Sequence, residues 1–88
     1  MIHMLYQVFE TKVIMPPREG DFTRRSICKP NKFAHCRTVL MRAFAQNVLK
    51  LLPKITDVIC RYNNGYACIE YQDGKDTILY KFEVTRVK

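Results

Sequence analysis

Eight basic side chains and no carboxylate lie between Phe22 and Thr56: Arg24, Arg25, Lys29, Lys32, Arg37, Arg42, Lys50 and Lys54. All eight acids of the chain fall outside that window. Glu–Lys pairs at helical spacing stabilise a helix and like charges repel, so a stretch that needed only solubility would mix both signs. The chemistry on offer is docking on an anion. Lysine and arginine clustered on one surface neutralise phosphates and release their condensed counterions. Arginine suits this best, because its planar fork of donors matches phosphate oxygens. The plainer account is a solvated helix face beside a basic loop.

Other reactive side chains form weaker patterns. His35 and Glu70 are the candidate general bases, but neither has a partner at catalytic spacing. The cysteines stand at 28, 36, 60 and 68 with no C-x-x-C pair. Cys36 falls on the apolar side of a predicted helix and His35 on its polar side, while Cys60 and Cys68 fall on opposite faces of a predicted hairpin. Four ligands do not converge, so neither a metal nor a cofactor is expected, and the thiols read as free and buried in a reducing cytoplasm. The sheet aromatics Tyr62, Tyr71, Tyr80 and Phe82 read as core. Tyr66 is the exception, a possible stacking platform with Arg61 and Lys81 on its side of the sheet.

The stretch GYACIEYQDGKDTILYKFEVTRVK, residues 65–88, resembles the final hairpin of the RelE-type toxin ribonucleases, over about a quarter of the chain. That resemblance implies two N-terminal helices and catalytic lysine, arginine and tyrosine or glutamate side chains. This chain departs from it by opening on a strand and offering one helix.

Eighty-eight residues make one domain, 1–88, whose core suffices for folding without staples. A net charge of +7 favours nucleic acid, an anionic membrane surface or an acidic protein as partner. No apolar run is long enough to span a bilayer, and Gln7, Glu10 and Lys12 interrupt any secretory signal. A membrane partner is not expected, because the helix's apolar face is needed to cover the sheet.

The elements that must position the cations follow from periodicity and turn chemistry. Residues 4–15 are rich in β-branched and aromatic types and read as a strand, either central or bulged near Glu10-Thr11, ended by Pro16-Pro17. Residues 16–31 read as a long basic loop that also carries Arg18, with a short extended piece at 22–28. A helix is predicted over 31–52, N-capped by Asn31 and stopped by Pro53. Its polar stripe holds Lys32, His35, Thr38, Arg42, Gln46 and Lys50, with Val39 and Leu49 out of pattern there and Asn47 out of pattern among the apolar residues. A β-meander over 55–87 turns at Asn64-Gly65 and Asp73-Gly74. The expected class is α+β: a four-stranded antiparallel sheet, β-α-β-β-β, with the long helix on one face.

The reading these features favour is a small, non-enzymatic, cytoplasmic nucleic-acid-binding protein, with RNA or a single strand preferred. Phosphate contacts are assigned to Arg24, Arg25, Lys29, Lys32, His35, Arg42, Gln46 and Lys50, with Arg37 and Lys54 at the margin. The alternative is an inhibitor or accessory protein of phage type, an antitoxin or counter-defence protein. It would bind and block a host protein such as an RNA-processing enzyme, through Val39, Leu49, Arg61, Tyr66 and Lys81. A RelE-like ribonuclease is the second alternative. A homodimer is compatible with each.

Overall fold

The computed structural model describes residues 4–15, 22–55 and 57–88. Five strands and one helix follow one another as β1 (Tyr6–Met15), β2 (Phe22–Ser26), α1 (Phe33–Leu51), β3 (Val58–Asn63), β4 (Tyr66–Asp73) and β5 (Asp76–Arg86). The class is α+β. All neighbouring strands are antiparallel, in the order β2-β1-β5-β4-β3. The sheet therefore has five strands where four were expected. The extra one is β2, which coincides with the extended piece expected at 22–28 within the predicted loop and here joins the sheet. β1 has two polar edges to satisfy, and β5 takes one of them. The chain returns to take the other, with Phe9 opposite Ser26 and Val13 opposite Phe22. This makes β1 a central strand, which accounts for its apolar residues of both parities. It runs without a bulge, paired with β5 from Tyr6–Arg86 to Met15–Thr77. Residues 16–21 of the predicted loop, including Arg18, lie outside the described residues.

The first turn of the meander is as read: Tyr62 lies opposite Ala67, Cys60 opposite Ile69 and Val58 opposite Tyr71. The second moves by one residue, which shifts the register by two. The loop is Gly74-Lys75, not Asp73-Gly74, because Asp73 pairs with Asp76. Gly74 (φ 63°) supplies the positive φ at the first loop position, where a type II′ hairpin needs glycine. Ile69 consequently faces Tyr80 and Ala67 faces Phe82. A slip of two keeps every side chain on its face, so the apolar pattern tolerated either register.

Val8, Ala67, Ile69 and Phe82 from one sheet face and Cys36 and Leu40 from α1 form a single buried cluster. The helix lies over β1, β5 and β4, the middle of the sheet. β3 extends beyond it, so Tyr62 is 47% exposed and Cys60 is exposed, against the expectation that both were core. The helix is also rolled relative to the predicted arc. Val39, expected on the polar side, turns toward the sheet, and Met41, Ala45 and Leu52, expected at the edge of the apolar arc, face solvent; Ala43 and Asn47 lie inward and Leu49 outward, as the pattern had them. Asn47 tolerates this because its side-chain amide donates to the Ala43 carbonyl at 2.7 Å.

The helix starts at Phe33, with Lys32 at the N-cap position and no side-chain cap. Asn31 was expected there. Instead its backbone exchanges hydrogen bonds with Tyr6 (2.8 and 2.9 Å), tying the helix entry to β1. The Tyr6 ring meets the edge of Phe33 at 5.3 Å, which packs the same junction. At the other end the Leu51 carbonyl accepts from the N–H groups of Lys54 and Ile55, both at 2.9 Å, closing the helix around Pro53.

Candidate nucleic-acid interface

The roll of α1 opens a groove between one flank of the helix and the β1–β2 side of the sheet. Residues 39, 42, 43, 46, 47 and 50 recur every three or four positions, so they line one helix flank. All six border a cavity of about 420 Å³. β2 supplies Arg25, Ile27 lies just beyond that strand, β1 supplies Glu10 and β5 supplies Phe82. The floor is apolar: Ile27, Val39, Ala43 and Phe82. The polar rim is Arg25, Arg42, Gln46, Asn47 and Lys50, with Glu10 as the lining carboxylate.

Glu10 sits opposite Arg25 across the β1–β2 ladder, which places both on the helix side of the sheet. Its Oε2 accepts from Arg25 Nε at 2.7 Å. Glu10 is largely covered (13% exposed) whereas the Arg25 side chain is 74% exposed. The carboxylate therefore holds one edge of the guanidinium, and the fork's other N–H groups remain for a ligand. With Arg42 and Lys50 the described lining residues carry three positive charges against one negative. Asn47 spends one N–H of its amide on the helix backbone and keeps the other N–H and its carbonyl oxygen, and Gln46 likewise offers donors and an acceptor. Cations around a wall of apolar side chains can hold a phosphate at the rim and a flat, weakly polar group below it.

Of the eight residues assigned to phosphate contact, the groove gathers Arg25, Arg42, Gln46 and Lys50. Arg24 goes elsewhere. Successive strand residues alternate faces, and the Arg24 guanidinium lies 3.9 Å from the centre of the Phe9 ring on the far side of the sheet. Lys29, Lys32 and His35 are exposed and outside the groove lining. Arg37, on the other helix flank, donates to the Asn64 side-chain oxygen at 3.4 Å.

The five residues proposed for a protein partner do not form one surface. Val39 is half-buried in the groove, so it is not an exposed anchor; the roll of the helix drew it in. Leu49 is 68% exposed on the outer side of α1. Arg61 and Lys81 lie on the sheet face opposite the helix, in a cross-strand row Arg61–Cys68–Lys81–Thr11–Arg24, with Tyr66 beside it. Thr11 and Cys68 are buried between the longer side chains of that row. Tyr66 is half-buried. Burial, then the neighbouring Cys68 and Glu83, push its hydroxyl pKa up against the pull of Arg61. Such a phenol stays protonated at neutral pH.

Two contributors were missed in the sequence, Asn47 and Glu10. Asn47 showed as an irregularity of the helical pattern. Glu10 had no signal, because nothing in the extended piece at 22–28 announces its pairing to β1. Among the described residues no group of three metal-ligating side chains gathers, and no helix is long and apolar enough to cross a membrane. The cysteines are free thiols, and only Cys60 is exposed. Burial and the adjacent Cys28 raise the Cys36 pKa to about 11, and its thiol donates to the Tyr6 carbonyl at 3.2 Å. The helix-first architecture implied by the RelE-type tail is absent, since α1 follows two strands. No protein-family model matches this chain, and no curated protein or solved structure is similar to it.

Proposed function

We propose that the protein is a non-enzymatic nucleic-acid-binding protein of the cytoplasm that takes a single strand, RNA by preference, into the groove between α1 and β2. One observation carries this reading: Arg42 and Lys50 of α1 and Arg25 of β2 come together around an apolar floor with one lining carboxylate among the described residues. A structural salt network would balance its charges, and this lining does not. Concavity favours a single strand. A duplex is read by an element that projects into its groove, whereas a cavity of about 420 Å³ accepts an extruded nucleotide. The phosphate would meet Arg42, Lys50 and the free edge of Arg25, with Gln46 and Asn47 toward the base.

The test is fluorescence anisotropy with labelled single-stranded RNA, single-stranded DNA and duplex across a salt series. Three neutralised phosphates imply a slope of about −2 in log affinity against log salt. A slope near zero, or duplex bound more tightly than single strand, rejects the proposal.

A second reading has one observation in its favour. Met41, Leu49 and Leu52 expose 50%, 68% and 51% of their surface along the outer side of α1, beside Ala45. An apolar line between basic flanks suits an inhibitor that docks on an acidic protein. A stoichiometric protein partner that survives nuclease treatment, and is lost in Leu49→Asp, favours that reading.

A further inference from the structure

The sheet ends in two edges of different character. β2 carries Arg24 and Arg25, the kind of side chain that discourages a foreign strand from pairing. β3 has no lysine, proline or glycine from Val58 to Asn63, and Arg61 is its one charge. Its exposed side chains include Ile59 (54%) and Tyr62.

The direction of its backbone groups follows from one hydrogen bond. Val84 N–H donates to the Gly65 carbonyl at 2.9 Å. Gly65 leads into β4, so the odd-numbered residues of β4 aim their backbone groups at β5 and the even-numbered ones at β3. The β3 partners of Tyr66, Cys68 and Glu70 are Asn63, Arg61 and Ile59. Val58, Cys60 and Tyr62 therefore present their N–H and C=O groups outward. β3 pairs with β4 alone among the described strands.

We propose that the β3 edge is the site at which a second copy of this chain pairs, antiparallel and about a two-fold axis beside Cys60, to give one continuous ten-stranded sheet. Only this register sets every outward residue against another: Val58 of one copy opposite Tyr62 of the other, Cys60 opposite Cys60, and Tyr62 opposite Val58. Each pair exchanges two hydrogen bonds. A shift of two residues leaves one of the three unmatched. The side chains agree with the backbone. Tyr62 covers Val58 on one face, and Ile59 lies along the stem of Arg61 on the other.

Charge selects the same edge. Two copies carrying +7 each repel, and of the two edge strands β3 carries the fewer cations, one against two on β2. The grooves, with Arg25, Arg42 and Lys50, sit toward the opposite edge of each sheet and end up farthest apart. Exposed Asp57 of one copy falls diagonally opposite Arg61 of the other, which turns the edge's one positive charge into an attraction. A strand of another protein would meet none of these reciprocal matches.

The test is light scattering after size exclusion, over a concentration series of nuclease-treated full chain. Wild type is expected to double its mass as concentration rises. A short bis-maleimide is expected to link two copies through Cys60, the exposed thiol, and to fail in Cys60→Ser. In Cys60→Pro the lost N–H faces outward, so the internal ladder survives and the mass stays that of one chain. Asp57→Lys leaves the fold alone and raises the dissociation constant about fivefold or more, because both diagonal attractions become repulsions. A wild type that stays monomeric at every concentration overturns the proposal. So does a dimer that forms no Cys60 link, a folded Cys60→Pro that still dimerises, or an Asp57→Lys dimer of unchanged affinity. None of these results bears on the groove, which lies at the other edge.

Discussion

Arg42→Ala is the sharpest test of the groove. Arg42 is exposed on α1 between Val39 and Gln46, so its removal costs the fold little: arginine and alanine both favour helix, and Arg42 makes no ion pair among the described residues. Its loss to binding is larger. A hydrogen bond to a charged group is worth about 1.5–3 kcal/mol, so affinity should fall about tenfold to a hundredfold at fixed salt. The salt slope should also change. With Arg25, Arg42 and Lys50 each on one phosphate of a single strand the slope is about −2, and without Arg42 about −1.4, at roughly 0.7 per contact. Glu10→Gln is the companion. It releases the Arg25 guanidinium from its carboxylate, and it should steepen the wild-type slope or leave it at its full value while raising affinity. The assay is anisotropy on one RNA oligonucleotide from low to moderate salt, with Lys75→Ala as the control. Lys75 sits in the β4–β5 turn, away from the groove lining. Equal losses for Arg42→Ala and Lys75→Ala would mean that overall charge, not the groove, drives binding, and the reasoning would fail.

Other perturbations test the scaffold. Gly65→Ala should destabilise more than Gly74→Ala. Both positions have positive φ (80° and 63°), but a Cβ at 65 meets Phe33 Cζ at 3.3 Å while one at 74 meets nothing within 4 Å. Denaturant midpoints should place the second near the backbone cost alone, about 1–2 kcal/mol, and the first beyond it. Phe82→Ala empties a fully buried site beneath α1 that also forms the groove floor, and should cost about 3–5 kcal/mol by the same assay. Stability should fall as pH rises from about 9 to 11. In that window the Cys36 thiol ionises in the unfolded chain and stays protonated in the fold, so the native state binds the extra proton. Cys36→Ala should flatten that part of the stability–pH curve relative to wild type.

How far the sequence could be read depended on whether a signal was local. Asn64-Gly65 announced its turn and its register, because turn chemistry and parity agreed over neighbouring residues. Asp73-Gly74 misled by two in register, since glycine serves at either centre of a tight turn and parity cannot separate registers two apart. β2 was legible only as an extended piece at 22–28, and its place in the sheet was not. FTRRS is mostly polar and exposed at every position, and it is a strand only because β1 offers an unpaired edge. From that followed the missing partner for Glu10 and the mistaken grouping of Arg24 with Arg25. The site was half legible: Arg42, Gln46 and Lys50 share a helix flank by spacing alone. Val39 and Asn47 were read as anomalies because the helix was assumed to centre its most apolar arc on the sheet. Its actual roll is set by where β1, β4 and β5 place Val8, Ala67, Ile69 and Phe82.

The strand at the centre of the sheet is β5, and β1 and β2 precede it by more than half the chain. During synthesis those two early strands can pair only with each other, and a lone hairpin is barely stable in water. Closing β1 onto β5 spans nearly the whole chain, the slow kind of contact. Until residues 76–86 emerge there is no Phe82 beneath the groove and no strand to join β1 to β4 beneath the helix. A nascent chain on the ribosome, surrounded by RNA, thus carries its arginines without the shape that would let them select a ligand.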